Sequence, residues 1–447
     1  MLKVGYSRKN ITPAEPTPLA GYGNTSARMS QGWYSQIYAT CVAFTDEQDQ
    51  TMLLYTTDMI RAQSFLIEDT AKAISEATGI PESNIQIAAT HTHSAPDPSN
   101  RAEPSILRFN AMFTEKMVEA AREALADRKE ATFQASKVNV PGMCFVRSYI
   151  TDTGEVIGVN FGDPKGKKLV AHTMPADEQM LVVRVCREGG KDILLVNWQG
   201  HPQVASTRQV ESGLLLRPFL GADYIGSMRD HVEAKTDLLF AFFLGASGNL
   251  NTRSDIPEEM PTTDYRLFGQ QLGDYAVKAM ETMEPLSTGA VKIQRRTYTG
   301  ELDHSEDYMI DDARYVADVW KKTNDRPLCD QLARERNMHS PYHALAIITR
   351  YNAGTEQSME LSAAVVGDLG FACAPYEMFC DNGQQIKEGS PCPVTFVVTC
   401  CNASVSYVAS AAAYEHGSYE VDNRKFSKGI GETLVGHFTD MLTQLKK

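Results

Sequence analysis

Two histidines one residue apart, His91 and His93, close the apolar run of IQIAATHTHS (85–94), and no other side chains in this 447-residue chain are better suited to chemistry. Imidazole is a common metal ligand, and with an unperturbed pKa of about 6.5 it is easily poised for proton transfer near neutral pH. If the extended conformation of the run persists to its end, both rings point to one face, because side chains alternate with period two along a strand. The pair then offers one cleft a ligand and an acid/base group. An isolated His-x-His is more often two surface histidines at a strand end, so the reading gains weight only if the layout recurs.

It recurs four times. ILLVNW (193–198) runs into Gln199, Gly200, His201 and Pro202, and LLFAFFL (238–244) runs into GASGNLN (245–251). GFACAP (370–375) leads to Tyr376 and Glu377, and TFVVTCC (395–401) leads to NASVSY (402–407). Continuous apolar runs of this length suit strands buried on both faces, and sheets covered by helices place chemistry in the crevice beyond the strand ends. A cleft assembled from such loops holds two or three histidines, a carboxylate and a tyrosine. That is a set of nitrogen and oxygen donors suited to zinc, with a position left for water.

Each further candidate has an ordinary alternative. His201 sits in a Gly-His-Pro turn, where glycine permits close backbone approach and proline fixes the chain, and it is either turn filler or ligand. Glu377 follows a strand that should be buried, so its carboxylate must be ion-paired, hydrated or metal-bound. The Tyr407 phenol titrates near pH 10 unless a cation lowers it, and on composition alone it reads as core. Arg147, in CFVRSY (144–149), is by default a surface arginine, or else a rigid donor fork for an oxyanion or carboxylate. Asp58, ending TMLLYTTD (51–58), is a candidate partner for the far nitrogen of a ligating histidine.

The elements that must position these residues read as α/β: a mixed β-sheet core with flanking helices and a metal site in loops at strand ends. ATCVAF (39–44) and TMLLYTT (51–57) are strands around a turn at 46–49. The loop 21–34, rich in glycine and aromatics, is either substrate-facing or plain surface. Helical spacing marks 64–78, 114–128 with Thr114 as cap, 264–283, and an amphipathic closing helix at 428–445. The stretch 304–338 reads as a largely helical, charged insertion. With no internal repeat or low-complexity linker, a single domain over 1–447 is the simplest account.

Composition excludes several functions. At 43% hydrophobic and 22% charged residues the chain has material for a large core. A net charge of −13 without basic blocks speaks against nucleic acid as partner and gives no reason for attraction to anionic membranes. No run is long enough for a transmembrane segment, and the N-terminal residues lack the apolar core of a signal peptide. Nine cysteines, an odd number without CxxC spacing, read as reduced thiols and a cytoplasmic setting. The oligomeric state is not legible.

Together these residues resemble the catalytic domain of the neutral/alkaline, non-lysosomal ceramidase family. The resemblance runs from the Gly21-Tyr22 loop and Arg28 through THTHSAP (90–96), FVRS (145–148), the His201 turn and GNLN (248–251). It ends with PYE (375–377) and NASVSYV to YEHGSYE (402–420). The family consists of zinc-dependent amidases that cut the N-acyl bond of ceramide, using two histidines, a glutamate and a tyrosine as ligands. Carried over, the resemblance implies His91, His201, Glu377 and Tyr407 as metal ligands, and His93, Arg147 and Tyr419 as catalytic groups facing the substrate. It implies zinc as cofactor and an N-acyl amide or lipid-like small molecule as substrate.

Three departures qualify what is carried over. Where the family loop reads Gly-Asp-x-Ser-Pro, this chain has Gly248, Asn249, Leu250, Asn251 and Thr252, so a serine acyl-enzyme is not expected and metal-activated water is. The chain stops after the catalytic domain, without the family's C-terminal β-sandwich, which makes membrane-embedded ceramide a doubtful substrate. HSAPD and VRS replace the usual HSGPG and NRS, which bears on the shape of the substrate pocket. The competing expectations are esterase, lactonase or phosphoesterase chemistry on the same metal, a noncatalytic binding protein, and a site in which His91 and His93 both ligate while Tyr407 is core.

Overall fold

The computed structural model describes residues 1–22, 28–61, 63–158, 166–207, 216, 218–256, 259 and 264–447. The larger sheet contains β1 (Lys3–Asn10), β2 (Tyr38–Thr45), β3 (Thr51–Thr57), β4 (Ile85–Ala89), β5 (Lys129–Asn139), β6 (Gln179–Arg187), β7 (Ile193–Trp198), β8 (Leu239–Leu244) and β9 (Glu284–Leu286). Their order is β8-β7-β6-β5-β1-β2-β3-β4, with β9 paired to β5. The smaller sheet has β10 (Val291–Glu301), β11 (Glu356–Val366), β12 (Leu369–Cys373) and β13 (Val394–Val398), in that order. The longer helices are α1 (Ser64–Thr78), α2 (Pro104–Ala126), α3 (Asp223–Thr236), α4 (Tyr265–Ala279), α5 (Ile310–Thr323), α6 (Arg326–Arg334), α7 (Pro341–Tyr351), α8 (Cys380–Gly389) and α9 (Ile430–Lys446).

The apolar runs become strands because both faces of each are covered. In β8, Phe240 and Phe242 pack with Trp198, Tyr224 and Phe268 under α3 and α4, while Ala241 and Phe243 join Phe371 and Phe396 of the smaller sheet. On the far side of that sheet, Ala372 and Val397 meet Leu434, Phe438 and Met441 of α9. α1 and α2 cover Ile85, Ile87 and Tyr55. The result is four layers: helices, large sheet, small sheet, helices. Each fully buried large side chain contributes about 1.5–3 kcal/mol, so the two inner faces hold the sheets together.

Three neighbouring strand pairs are parallel: β3 with β4, β7 with β8, and β12 with β13. Parallel neighbours need a crossover, supplied here by α1, α3 and α8 respectively. Every strand expected to end in a candidate site residue belongs to one of these pairs, and contacts beyond the sheet ladders bring their carboxyl ends together. Segment 399–402, just past β13, ties the two edges of the large sheet together. Thr399 N donates to Leu244 O at 3.0 Å, Ala89 N donates to Cys400 O at 3.1 Å, and Asn402 N donates to Ile87 O at 2.8 Å.

Several boundaries differ from expectation. The helix expected at 114–128 starts ten residues earlier, with Pro104 in its first turn; Ile106, Phe109 and Phe113 carry the buried stripe through Thr114, which is mid-helix rather than a cap. The helical stretch expected at 304–338 runs on through α7, whose N-cap Ser340 accepts from His343 N. α5 to α7 have a small core of their own around Met309, Val316 and Ile347. The middle of the 21–34 loop, 23–27, lies outside the described residues, as does most of the span from 257 to 263. All nine cysteines are free thiols and eight are buried, as expected of small core side chains.

Candidate metal centre

The strand β4 stops at Ala89, so the pleat does not carry His91 and His93 to a common face as expected. A left-handed turn does it instead: His91 has φ 65°, and the two rings end with centroids 5.1 Å apart. That conformation is uncommon for a residue with a side chain and costs about 1–2 kcal/mol. The turn is held by His91 N donating to Met59 O at 2.8 Å. His201 arrives from the end of β7, its ring 4.7 Å from that of His91 and 4.9 Å from that of His93. A Cβ on Gly200 would lie 2.3 Å from the Trp198 ring, so the turn carrying His201 requires glycine.

All three imidazoles direct Nδ1 at a backbone carbonyl: His91 at Ile60 O (2.5 Å), His93 at Gly21 O (3.1 Å) and His201 at Ser247 O (3.2 Å). With the proton on Nδ1 in each bond, the Nε2 atoms face inward, and on a neutral ring each offers the lone pair a metal ligand needs. His93 Nε2 and His201 Nε2 stand 2.9 Å apart, two lone pairs facing each other unless something positive lies between them. Burial, followed by the charge on His91, holds the pKa values of His93 and His201 well below the ordinary imidazole value, which keeps both neutral.

Glu377 enters from the end of β12. Its Oε2 lies 3.3 Å from His91 Nε2 and is buried without a hydrogen-bond partner among the described residues. Burial alone would lower the His91 pKa, but the Glu377 carboxylate outweighs it and lifts the imidazole to about 10. Tyr407 pairs in register with Glu377 across a two-residue parallel ladder, placing its half-buried ring in the same cavity. Burial and then the Glu377 charge push its phenol well above the ordinary value. An orphaned carboxylate oxygen, inward Nε2 atoms and an adjacent phenol form a nitrogen and oxygen donor set that fits a metal ion.

The site opens into a cavity of about 360 Å³ whose lining also includes Gly21, Tyr22, Arg61, Arg147, Tyr419 and Lys425. The start of the 21–34 loop therefore faces the cavity: Gly21 and Tyr22 line it, Tyr22 packs 5.2 Å from the His93 ring, and Arg28 donates to His93 O at 2.5 Å. Arg147 is buried, not a surface residue. Its Nε lies 2.7 Å from Glu420 Oε1, and another of its nitrogens donates to Gly248 O at 2.6 Å. Tyr419 stands 6.1 Å from Tyr407, centroid to centroid, and burial pushes its phenol up to about 12, so its hydroxyl keeps its proton at neutral pH.

Asp58 is not the partner of a histidine. Its carboxylate accepts from Arg229 at 2.8 and 2.9 Å and from Tyr38 N at 2.9 Å, because His91 Nδ1 already reaches the Ile60 carbonyl. Glu420, Arg61 and Lys425 were not anticipated. Arg61 carried the same signal as Asp58, a charge just past the β3 terminus, whereas Glu420 carried none until Arg147 was seen to be buried. A second group, His339, His343 and Asp422, also brings potential donor atoms within 4.8 Å of one another. There the donors have partners: His339 Nδ1 bonds Asp422 at 2.8 Å, and His343 Nε2 lies 3.1 Å from Glu306.

No protein-family profile and no curated protein sequence matches the chain. Two solved structures are similar over all of it. Neutral ceramidase from Pseudomonas aeruginosa superposes with a TM-score of 0.73 at 15% identity, with 74% of that chain covered. A ceramidase complexed with C2 gives 0.72 at 14% identity, with 75% covered. The likeness is one of fold, and it agrees with the family resemblance read from the motifs. The mixed α/β architecture that brings these strand ends together is the neutral ceramidase fold.

Proposed function

We propose that this protein is a zinc-dependent hydrolase that cleaves the N-acyl bond of a linear amide, with His91, His201, Glu377 and Tyr407 as metal ligands. The observation that carries the reading is the convergence of inward Nε2 atoms and the orphaned Glu377 oxygen on one cavity, in a fold shared with ceramidases. Zinc held there supplies Lewis acidity, lowering the pKa of a water and polarising a carbonyl.

The chain's own groups do the rest. His93, neutral and facing the cavity, takes the proton released by the attacking water and delivers it to the departing amine nitrogen. Tyr419, protonated at neutral pH, donates to the carbonyl oxygen as negative charge develops there, and the Arg147 guanidinium adds a fixed positive charge. Glu420 and the Gly248 carbonyl hold that guanidinium in place. Asn251 occupies the position of the family's loop serine and lies within 3.1 Å of Gln203 Nε2, a structural partnership consistent with water as the nucleophile.

The 2.9 Å approach of His93 to His201 favours a second donor set: His91, His93 and His201 together, with Tyr407 as a wall of the pocket. The reaction is tested by assaying purified protein, stripped with chelator and then reloaded with zinc, on matched N-acyl amides, esters and phosphoesters. The expected result is amide hydrolysis that is lost with the metal and restored by it. Turnover of esters or phosphoesters alone, or activity indifferent to metal, contradicts the proposal.

A further inference from the structure

Arg61 and Lys425 both line the metal cavity, and among the described residues no carboxylate lies within ion-pairing distance of either. The contrast with the buried arginines is sharp: Arg147, Arg187, Arg229, Arg350 and Arg424 each have an acidic partner. Arg61 is half-buried and follows Ile60, whose carbonyl fixes His91, so its backbone is anchored to the metal site. Its charge is one of those that hold the Glu377 carboxyl down, after His91. Lys425, also half-buried, has only Gln357 Oε1 at 3.4 Å, and burial draws its ammonium pKa down with no acid to offset it. Of the acids on the cavity wall, Asp97 accepts from Ser99, and Glu377 lies 3.3 Å from His91 Nε2 rather than beside Arg61 or Lys425.

We infer that the substrate carries a carboxylate, bound by Arg61 and Lys425 beside the scissile amide, so that the preferred class is an N-acyl amino acid or similar acidic amide. The inference rests on the amidase reading and narrows it. A guanidinium fork and an ammonium left half-buried without an ion-pair partner are costly unless an anion completes them, and a carboxylate matches the fork geometry. The wall also presents Ser404, Ser406, Asn423, Tyr407 and Tyr419, beside the apolar Ala20, Ile60 and Val405. A long hydrocarbon chain laid over Arg61 and Lys425 would strip water from both cations without pairing either. Tyr419 also lines a second cavity of about 570 Å³, whose wall mixes Lys167, Arg326 and Ser418 with Val156 and Ile157.

Two measurements on the zinc-loaded 447-residue protein test this. The first compares kcat/KM for N-hexanoylglycine, its neutral N-methylamide and N-hexanoyl sphingosine. The second uses calorimetry to measure binding of 4-oxononanoate, in which a methylene replaces the amide nitrogen, against its methylamide. The acid is expected to be favoured at least about tenfold in both, as charge-assisted bonds to a carboxylate allow. Arg61→Gln and Lys425→Met should each erode that preference through KM and Kd, with zinc content and circular dichroism matching the parent. Equal binding of acid and methylamide, or a preference that survives both substitutions, overturns the inference. If no amide is cleaved yet 4-oxononanoate binds in an Arg61-dependent way, the amidase reading falls and the carboxylate subsite stands.

Discussion

His93 is the residue on which the two donor sets diverge. If it moves protons beside a metal held by His91, His201, Glu377 and Tyr407, then His93→Gln leaves one zinc per chain and lowers kcat by about 10²–10⁴, the usual range for a lost acid/base group. If it ligates, the same substitution lowers zinc content. Elemental analysis alongside kcat separates the two, and equal loss of both refutes the proton role. The carbonyls of Ile60 and Ser247 make this test clean, because they fix the other two rings independently of His93. At this scale the sequence announced the chemistry through residue type alone: imidazoles, a carboxylate and a tyrosine after buried runs. It did not announce the conformation of His91, since a left-handed backbone at a histidine has no composition signal. Nor did it disclose that Arg147 is buried, which depends on Glu420 arriving from 273 residues further along the chain.

Strand ends are the elements that make the site, and they were legible for a physical reason. A parallel strand covered on both faces reads as an unbroken apolar run, so ILLVNW matches β7 residue for residue, and the other three runs fall within a few residues of their strands. The long antiparallel strands were missed because one face meets solvent or charge: β10 reads VKIQRRTYTGE, and its middle is only half-buried. The clip between sheet edges was invisible too, since it depends on pairing across more than 300 residues. Asn402 forms it: φ is 63°, Oδ1 accepts from Ile87 N at 2.8 Å and Nδ2 donates to Gln86 Oε1 at 2.7 Å. Asn402→Ala should cost about 2–3 kcal/mol, combining lost hydrogen bonds with left-handed strain, and Asn402→Gly should cost less because glycine carries no such strain. Urea unfolding midpoints check the order. Glycine equal to or worse than alanine contradicts the assignment of strain.

Across the whole molecule, the α5–α7 unit is joined to the sheets by charge as much as by apolar packing. Asp303 bonds Arg424, and Glu306 meets His343, Arg350 and Arg424. Burial would raise both carboxyl pKa values, but Ser305 and Arg424 at Asp303, and His343 with the two arginines at Glu306, bring them below their ordinary values. A carboxyl whose folded pKa is depressed contributes stability that is complete above its unfolded value of about 4 and is lost as pH falls through the folded value. Urea midpoints should therefore drop between about pH 5 and 3, and Asp303→Asn with Glu306→Gln should flatten that slope while lowering the midpoint at pH 7. An unchanged slope in the double variant removes these groups from the account.

The central claim is that segments from four strand ends close on one cation. X-ray diffraction from crystals of the zinc-loaded protein, recorded on either side of the zinc absorption edge, addresses it directly. The expected result is a single anomalous peak about 2.0–2.2 Å from His91 Nε2, His201 Nε2 and a Glu377 oxygen. No peak there, or a peak only among His339, His343 and Asp422, contradicts the account.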